Sequence, residues 1–160
     1  MKKANNKYHL STPIGTALIE GNENGIEKIS ILSEAPQPLI QDQELLEAGQ
    51  QLESYFKGEL QEFTFPIQPQ GTDFQQRVWK ALLTIPYGKT MSYLELSKQL
   101  GDPKAIRAVA SANGKNPLWI IVPCHRVIGS DGSLTGYAGG LWRKKWLLEH
   151  ESPAKQQSLF

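Results

Sequence analysis

The chain has 160 residues, of which 39% are hydrophobic, and a formal net charge of +1. This length and composition predict a globular protein with one large domain or two small ones. No stretch approaches the ~18 apolar residues of a membrane span, and no apolar signal segment follows Met1-Lys2-Lys3, so we expect a cytoplasmic protein without a membrane segment.

The two halves of the chain carry opposite charge. Residues 1–70 contain 5 Lys and Arg against 10 Asp and Glu, a net charge of −5, whereas residues 71–160 contain 12 against 6, a net charge of +6. A basic C-terminal half suits a polyanion, which the acidic N-terminal half would repel. Ordinary uneven charge on solvated surfaces is the alternative interpretation.

The N-terminal half begins with short alternating segments that predict strands, with Asn24-Gly25 as a hairpin turn. The predicted strands cover residues 8–10, 16–20 and 26–31. A helix is predicted within Leu39 to Lys57, because Leu45, Leu52, Tyr55 and Phe56 share one helical stripe, and Gly58 ends it. Two prolines and a glycine in residues 63–71 predict a domain boundary.

The C-terminal half begins with a series of helix signals. Thr72-x-x-Gln75 predicts a capping box for a helix to about Thr84, and Ser92-x-x-Glu95 predicts another for a helix to about Leu100. Asp102 followed by Pro103 predicts the start of a third helix, which Asn113-Gly114 ends. Two short helices joined by a tight turn indicate a helix-turn-helix.

The segment Leu118 to Val122 is apolar and rich in β-branched residues, which predicts a buried strand that Pro123 ends. Cys124, the only cysteine, and His125 follow directly, so a thiol at the strand end is a candidate nucleophile with a nearby base. Because successive side chains of extended backbone point to opposite faces, a bridging water or a turn has to join the two residues. The alternative is a buried, inert cysteine.

Residues 129–140 then predict a glycine-rich loop or wing, and residues 141–149 a last helix. With one cysteine and three scattered histidines, the sequence predicts no disulfide, no metal site and no cofactor.

Several motifs in one order resemble the O6-alkylguanine-DNA alkyltransferases, also called methylated-DNA–protein-cysteine methyltransferases. They are Gly114-Lys115-Asn116-Pro117, Pro123-Cys124-His125-Arg126-Val127-Ile128-Gly129 and Gly136-Tyr137-Ala138-Gly139-Gly140-Leu141, together with Ile85-Pro86-Tyr87-Gly88, Ser92-Tyr93 and Arg107-Ala108-Val109. The similarity covers residues 71–151, with looser matches at Thr12-Pro13-Ile14-Gly15 and Tyr55-Phe56-Lys57-Gly58.

This resemblance implies an α+β protein. A small RNase H-like α/β domain, residues 1–70, is expected to precede a mainly helical winged helix-turn-helix domain, residues 71–160, that carries the active site. The implied partner is double-stranded DNA containing alkylated bases, bound through the minor groove by a monomer. The implied reaction is irreversible transfer of the alkyl group of an everted O6-alkylguanine or O4-alkylthymine to the protein itself, once per molecule.

The resemblance also implies the site residues. Cys124 is the alkyl acceptor, activated through water by His125, which Glu149 orients, and Tyr93 supplies a proton to the leaving base. The expected DNA contacts are Arg107, which fills the gap left by the everted base, and Tyr93, Ser92, Ala108 and Ser111. The expected pocket and hinge residues are Asn116, Val127, Tyr137, Ala138 and Gly139. Pro123 and Arg126 are expected to be structural.

Two departures from the family pattern stand out. The structural zinc ligands of some members are absent here, and Trp119 replaces a smaller residue, which puts the alkyl-group range in question. We expect Trp119 to pack in the core. The rival functions are a non-enzymatic lesion-binding relative, which lacks the acceptor cysteine, a winged-helix transcription regulator, and a thiol hydrolase.

Overall fold

The structure, a computed structural model, describes residues 5–152. Residues 1–4 and 153–160 lie outside this range, and with them Met1-Lys2-Lys3 and the outer ends of the two predicted domains. The chain divides into two compact units between Gln70 and Gly71. Within the described range, no helix is both long enough and apolar enough to cross a membrane.

The N-terminal unit is built on an antiparallel sheet of strands β1 (Asn6–Thr12), β2 (Gly15–Asn22) and β3 (Gly25–Leu32), in that order. The hairpin between β2 and β3 pairs Asn22 with Gly25, whose φ of 145° favours glycine. The alternating apolar residues face a core in which Ala17, Ile19 and Ile29 are completely buried. The three predicted strands are confirmed.

Helix α1 (Leu46–Phe56) packs on this sheet. Gly49 permits close approach, because a Cβ atom there would lie only 2.3 Å from the ring of Tyr8. The prediction of helix from Leu39 onward is wrong for the first residues. Ile40 is instead held against β1, where its N–H donates to His9 Nδ1 at 2.9 Å and its carbonyl accepts from the His9 N–H at 2.7 Å.

The C-terminal unit contains helices α2 (Asp73–Leu82), α3 (Tyr93–Gln99), α4 (Ile106–Gly114) and α5 (Leu141–Glu151). Both predicted capping boxes are present at the starts of α2 and α3. The Asp102 side chain accepts the Lys104 N–H at 3.0 Å and caps the short 3-10 turn that leads into α4. The predicted pair of short helices, α3 and α4, is therefore confirmed.

The helices of this unit enclose an apolar core formed by one residue stripe from each helix. The completely buried members are Val78, Leu82, Leu96, Val109 and Leu147. Trp79 joins α2 to the end of α4, since its indole N–H donates to the Ala112 carbonyl at 2.9 Å. Two short strands, β4 (Met91–Ser92) and β5 (Val127–Ile128), pair in parallel and hold the chain after Cys124 against the start of α3.

Candidate active site

Cys124 lies at the start of a 3-10 turn that covers Cys124–Arg126 and leads into β5. The predicted strand over residues 118–122 is wrong, because Trp119, Ile120 and Ile121 form a turn and Val122 a bend, while Leu118 makes a single bridge. Their backbone bonds are local: the Val122 N–H donates to the Leu118 carbonyl at 3.0 Å. Ile120 has a φ of 76°, a left-handed conformation that is rare for a β-branched residue. The thiol is therefore held by a tight loop and not by a strand end.

Asn116 closes this loop from inside. Its buried amide donates to the Leu118 carbonyl at 3.3 Å and to the Val122 carbonyl at 2.7 Å, and its Oδ1 accepts the Leu118 N–H at 2.9 Å. These three bonds replace strand pairing as the source of order for the segment. They tie the end of α4 to the turn that carries Cys124, which supports the hinge role predicted for Asn116.

His125 is completely buried and forms a carboxylate-oriented pair, but its partner is Glu151. His125 Nε2 lies 2.8 Å from Glu151 Oε2. Arg126 completes the group, with Nε donating to Glu151 Oε1 at 2.7 Å and Nη2 to Oε2 at 3.0 Å. Arg126 Nη1 also donates to the Ile85 carbonyl at 2.7 Å. The expectation that Arg126 anchors the turn agrees with this network.

The expectation that Glu149 orients His125 is wrong. The Glu149 side chain is 62% exposed and its carboxylate lies 4.0 Å from Lys145 Nζ, on the outer face of α5. Residues two apart on a helix point in very different directions, whereas Lys144, Leu147 and Glu151 follow the three- and four-residue spacing of one face. All three are buried. Extending the predicted helix by two residues would have placed Glu151 on the inner stripe.

The protonation states of the pair follow from burial and from Arg126. Burial lowers the pKa of His125, so its imidazole is neutral at pH 7. Burial by itself would raise the pKa of Glu151, but the hydrogen bonds from His125 and Arg126, together with the positive charge of Arg126, outweigh it and hold that pKa well below its ordinary value. The ionised carboxylate accepts the Nε2 proton, which leaves the Nδ1 lone pair available as a base. His125 Nδ1 is buried and has no hydrogen-bond partner among residues 5–152.

Cys124 is buried, and burial raises the pKa of its thiol to about 11. A hydrogen bond from Asn116 and the positive charge of Lys144 act in the opposite direction. The resting thiol is therefore protonated at neutral pH, and it needs a base at the moment of reaction. No direct hydrogen bond joins Cys124 and His125 within the described chain, which is consistent with an intervening water.

Lys144 is a buried residue of the site that sequence reasoning missed. It is completely buried, and its Nζ donates to the Thr135 carbonyl at 2.7 Å. Burial lowers the pKa of Lys144 to about 8, against the opposing effect of Cys124. A lysine on the same helical stripe as Leu147 was the available signal, because an unpaired lysine on an apolar stripe is unusual.

A cavity of about 390 Å³ lies between α3, α4 and the loop before α5. Its lining includes Tyr93, Ile106, Asn113 and Tyr137. Cys124 lies beside it, since Asn113 Nδ2 donates to the Cys124 carbonyl at 3.4 Å and the negative charge of the Cys124 thiolate contributes to a raised pKa of Tyr137. Burial is the larger cause of that shift. The volume of the cavity is large enough for a planar base.

Trp119 lies against the loop beside this cavity and not in a strand core, so the expectation that it packs as core is wrong. The residue is half-buried, and its ring centroid lies 5.9 Å from that of Tyr137. A Cβ atom at Gly139 would lie 3.1 Å from the Trp119 ring and 2.9 Å from the Tyr137 ring. Glycine at this position lets the loop pack onto both aromatic rings.

Three other predicted site residues lie in different environments. The Ser92 hydroxyl is buried and accepts the Glu95 N–H at 3.0 Å as the helix cap, so any contact of Ser92 with DNA stays a prediction. Val127 is completely buried in β5, and Ala138 is exposed on the loop. Among residues 5–152, no group of His, Cys, Asp and Glu side chains is arranged to hold a metal ion.

Comparison with known proteins agrees with this geometry in both halves of the chain. The model of the 6-O-methylguanine DNA methyltransferase DNA-binding domain matches residues 73–153, and that of the ribonuclease-like domain of the same family matches residues 7–69. This chain belongs to the 6-O-methylguanine DNA methyltransferase family.

Close relatives within this family come from archaea and bacteria. The methylated-DNA–protein-cysteine methyltransferase of Methanosarcina barkeri is 49% identical over 148 residues, which cover 89% of this chain and 94% of the relative. The methyltransferase of the same name from Mycobacterium tuberculosis is 50% identical over 147 residues, 89% of each chain.

Solved structures of the family confirm the fold. The crystal structure of the Mycobacterium tuberculosis O6-methylguanine methyltransferase has a TM-score of 0.82 and 46% identity, and covers 98% of this chain and 99% of that one. That of Mycobacterium tuberculosis OGT in complex with DNA has a TM-score of 0.83 and 48% identity, and covers 93% and 96% of the two chains. The expected order, a ribonuclease-like domain followed by a DNA-binding domain, is confirmed.

The surface of α4 in this methyltransferase-family domain is suited to close approach by a large partner. Arg107, Ala108 and Ser111 are all exposed on one side of the helix, and two of the three are small. Val109 and Ala112 are buried on the other side. The helix thus presents one cationic side chain between small neighbours, and the contact of Arg107 with DNA stays a prediction.

Proposed function

We propose that this protein is a methylated-DNA–[protein]-cysteine S-methyltransferase that repairs O6-alkylguanine, and also O4-alkylthymine, by transferring the alkyl group to Cys124. The observation that carries the proposal is the arrangement of the thiol. Cys124 lies beside a base-sized cavity and precedes a histidine whose buried Nε2 is bound to Glu151 at 2.8 Å, so that Nδ1 remains free to act as a base. The family and the names of its members support the same activity.

The transfer is a displacement at the alkyl carbon. Cys124 Sγ forms a bond to that carbon while the bond from the carbon to O6 breaks, and the electron pair stays on the base. The thiol proton passes through water to His125 Nδ1, which Glu151 keeps in the tautomer that can accept it. The leaving guanine takes a proton from the Tyr93 hydroxyl, and the proton held on His125 Nδ1 then returns through solvent to Tyr93. The net result is transfer of the thiol proton to the base, so the products are a neutral guanine and a thioether.

Lys144 assists by charge. Its ammonium group acts on Cys124 from within the protein interior, where a positive charge stabilises a developing thiolate more strongly than in solution. The hydrogen bond from Lys144 to the Thr135 carbonyl keeps this charge in place and holds the loop that lines the cavity. Lys144 is thus an electrostatic partner of the nucleophile.

Access to the base requires the lesion to leave the DNA stack, because Cys124 is buried behind the cavity. We propose that α4 enters the minor groove and that Arg107 fills the space left by the everted nucleotide. Ala108 and Ser111 permit the close approach, and Tyr93 at the start of α3 lies at the mouth of the cavity beside the everted nucleotide. The protein acts as a monomer in the cytoplasm, without a cofactor.

The thioether on Cys124 is stable, and no group in the site is placed to cleave it, so each molecule reacts once. The test is mass spectrometry of the protein after incubation with duplex DNA containing O6-methylguanine. A Cys124 peptide heavier by one methyl group, formed in a one-to-one ratio with repaired base, is expected. Repeated turnover, transfer by Cys124→Ser, or DNA binding without transfer would refute the proposal and favour a hydrolase or a lesion-binding protein.

A further inference from the structure

Two large apolar side chains at the start of α5 are left in water. Trp142 is 56% exposed, the highest value among the exposed large apolar residues that the structure describes, and Leu141 beside it is 49% exposed. The alkyl-transfer chemistry uses neither of them. An exposed indole is well suited to binding, because it offers a large apolar ring and an N–H donor.

This exposed pair continues the rim of the base cavity. Thr135 and Gly136 line the cavity and are exposed, and Ala138 of the same loop is exposed as well. The loop then closes onto the indole at Gly140, where a Cβ atom would lie 3.6 Å from the Trp142 ring. A large partner that places a group in the cavity therefore lies against this rim and also against Trp142.

Arg143 holds the indole in place and gives the surface a positive charge. Its guanidinium carbon lies 4.6 Å from the centroid of the Trp142 ring, and its Nη1 donates to the Gly139 carbonyl at 2.9 Å. The first turn of α5 contains no acidic residue. An aromatic ring backed by a cation suits a nucleic-acid strand, whose sugars and bases pack on the ring while the charge attracts its phosphates.

We propose that Leu141, Trp142 and Arg143 form a contact surface for the DNA strand that carries the lesion. The exposed face of the indole packs against a nucleotide that flanks the everted one, and Arg143 attracts the phosphate of that nucleotide. This inference rests on the proposed function and adds a binding surface to it. Trp142 acts in duplex binding and takes no part in the chemistry at Cys124, so it matters only for substrates within DNA.

The test separates duplex binding from chemistry. Binding is measured with a short duplex that contains one O6-methylguanine and holds a single protein molecule, in a Cys124→Ser background so that the lesion is not consumed. Trp142→Ala is expected to weaken this binding about tenfold, the loss typical of one aromatic contact with a nucleotide. With intact Cys124, Trp142→Ala is expected to react with free O6-benzylguanine at the unaltered rate, and with saturating duplex at nearly the unaltered rate.

Two further variants show whether the contact is direct. Trp142→Phe keeps an aromatic ring, so its affinity is expected to stay within about twofold of the unaltered protein. It should lose the part of the tryptophan fluorescence quenching by DNA that arises from Trp142. Leu83→Ala is the matched control, since Leu83 is 48% exposed in the same compact unit and lies outside the cavity lining. It should leave binding unchanged.

Unaltered affinity of Trp142→Ala for the short duplex, with normal transfer, would overturn this inference alone. A loss seen only on long duplexes that hold several molecules would assign Trp142 to a contact between copies and would also overturn it. Equal slowing with free O6-benzylguanine would contradict it by placing the effect in the cavity. Absence of transfer from the duplex by the unaltered protein would overturn the proposed function and this inference with it.

Discussion

Replacing Glu151 by glutamine tests most clearly whether Glu151, and not Glu149, orients His125. Glu151 is 3% exposed and accepts three short hydrogen bonds, one from His125 and two from Arg126. Removing one partner of a buried, hydrogen-bonded ion pair costs about 3–5 kcal/mol, and glutamine keeps the shape and one acceptor, so we expect about 3 kcal/mol. For a protein of this length that corresponds to a fall of about 10 °C in the thermal midpoint.

The same substitution is expected to slow alkyl transfer. Glutamine leaves a single acceptor oxygen for which His125 and Arg126 compete, so His125 is no longer fixed in the tautomer with a free Nδ1, and a general base contributes on the order of 100-fold or more. Single-turnover repair of O6-methylguanine in duplex DNA and a thermal melt at pH 7 measure the two effects. Glu149→Gln is the matched control, because an exposed pair at 4.0 Å is worth at most about 1 kcal/mol.

The stability lost in Glu151→Gln is also expected to depend on pH. The pKa of Glu151 in the folded protein lies below its ordinary value of 4.5, so its contribution is present above that pH and is lost as the pH falls below it. The difference in stability between the unaltered protein and Glu151→Gln should therefore be full at pH 7 and shrink below about 4.5. Equal rates for both glutamine variants, or an unchanged midpoint in Glu151→Gln, would refute the reasoning.

Three other substitutions test the charge beside the thiol, the loop that carries Trp119, and the exposed side of α4. Lys144→Met should raise the pKa of the Cys124 thiol further and slow transfer tenfold or more. The midpoint at pH 7 should fall little, because a lysine whose pKa is lowered to about 8 costs stability below that pH; a large loss of stability with full activity would assign Lys144 a structural role. Trp119→Ala should speed reaction with O6-benzylguanine about tenfold, because the ring beside the cavity is removed; this lowers the activation barrier by ~1.4 kcal/mol. Trp142→Ala is the control, since Trp142 is 56% exposed, and it should leave the rate unchanged. Equal effects of the two substitutions would show that Trp119 does not limit the space for the alkyl group. Arg107→Ala should impair repair in duplex DNA more than transfer from free O6-methylguanine, and binding should weaken as salt rises; equal losses on both substrates would exclude a role in filling the gap.

The sequence by itself determined the features that depend on neighbouring residues. Capping boxes act over three residues, so Thr72 and Ser92 marked the starts of α2 and α3 correctly. The turn at Asn24-Gly25 and the cap at Asp102 depend on equally short distances. The motif around Cys124 likewise identified the family without knowledge of the fold, and Cys124 as the nucleophile stays a prediction.

Only the tertiary structure decided which side chains meet across the chain. The apolar run from Leu118 to Val122 has the composition of a strand, but the buried amide of Asn116 satisfies its backbone locally and turns it into a loop that brings Trp119 to the cavity. The choice of Glu151 over Glu149 depends on which face of α5 packs inward. Composition cannot decide such questions, because burial, and with it the pKa of a thiol or a lysine, is set by residues that are distant in sequence and adjacent only in the folded chain.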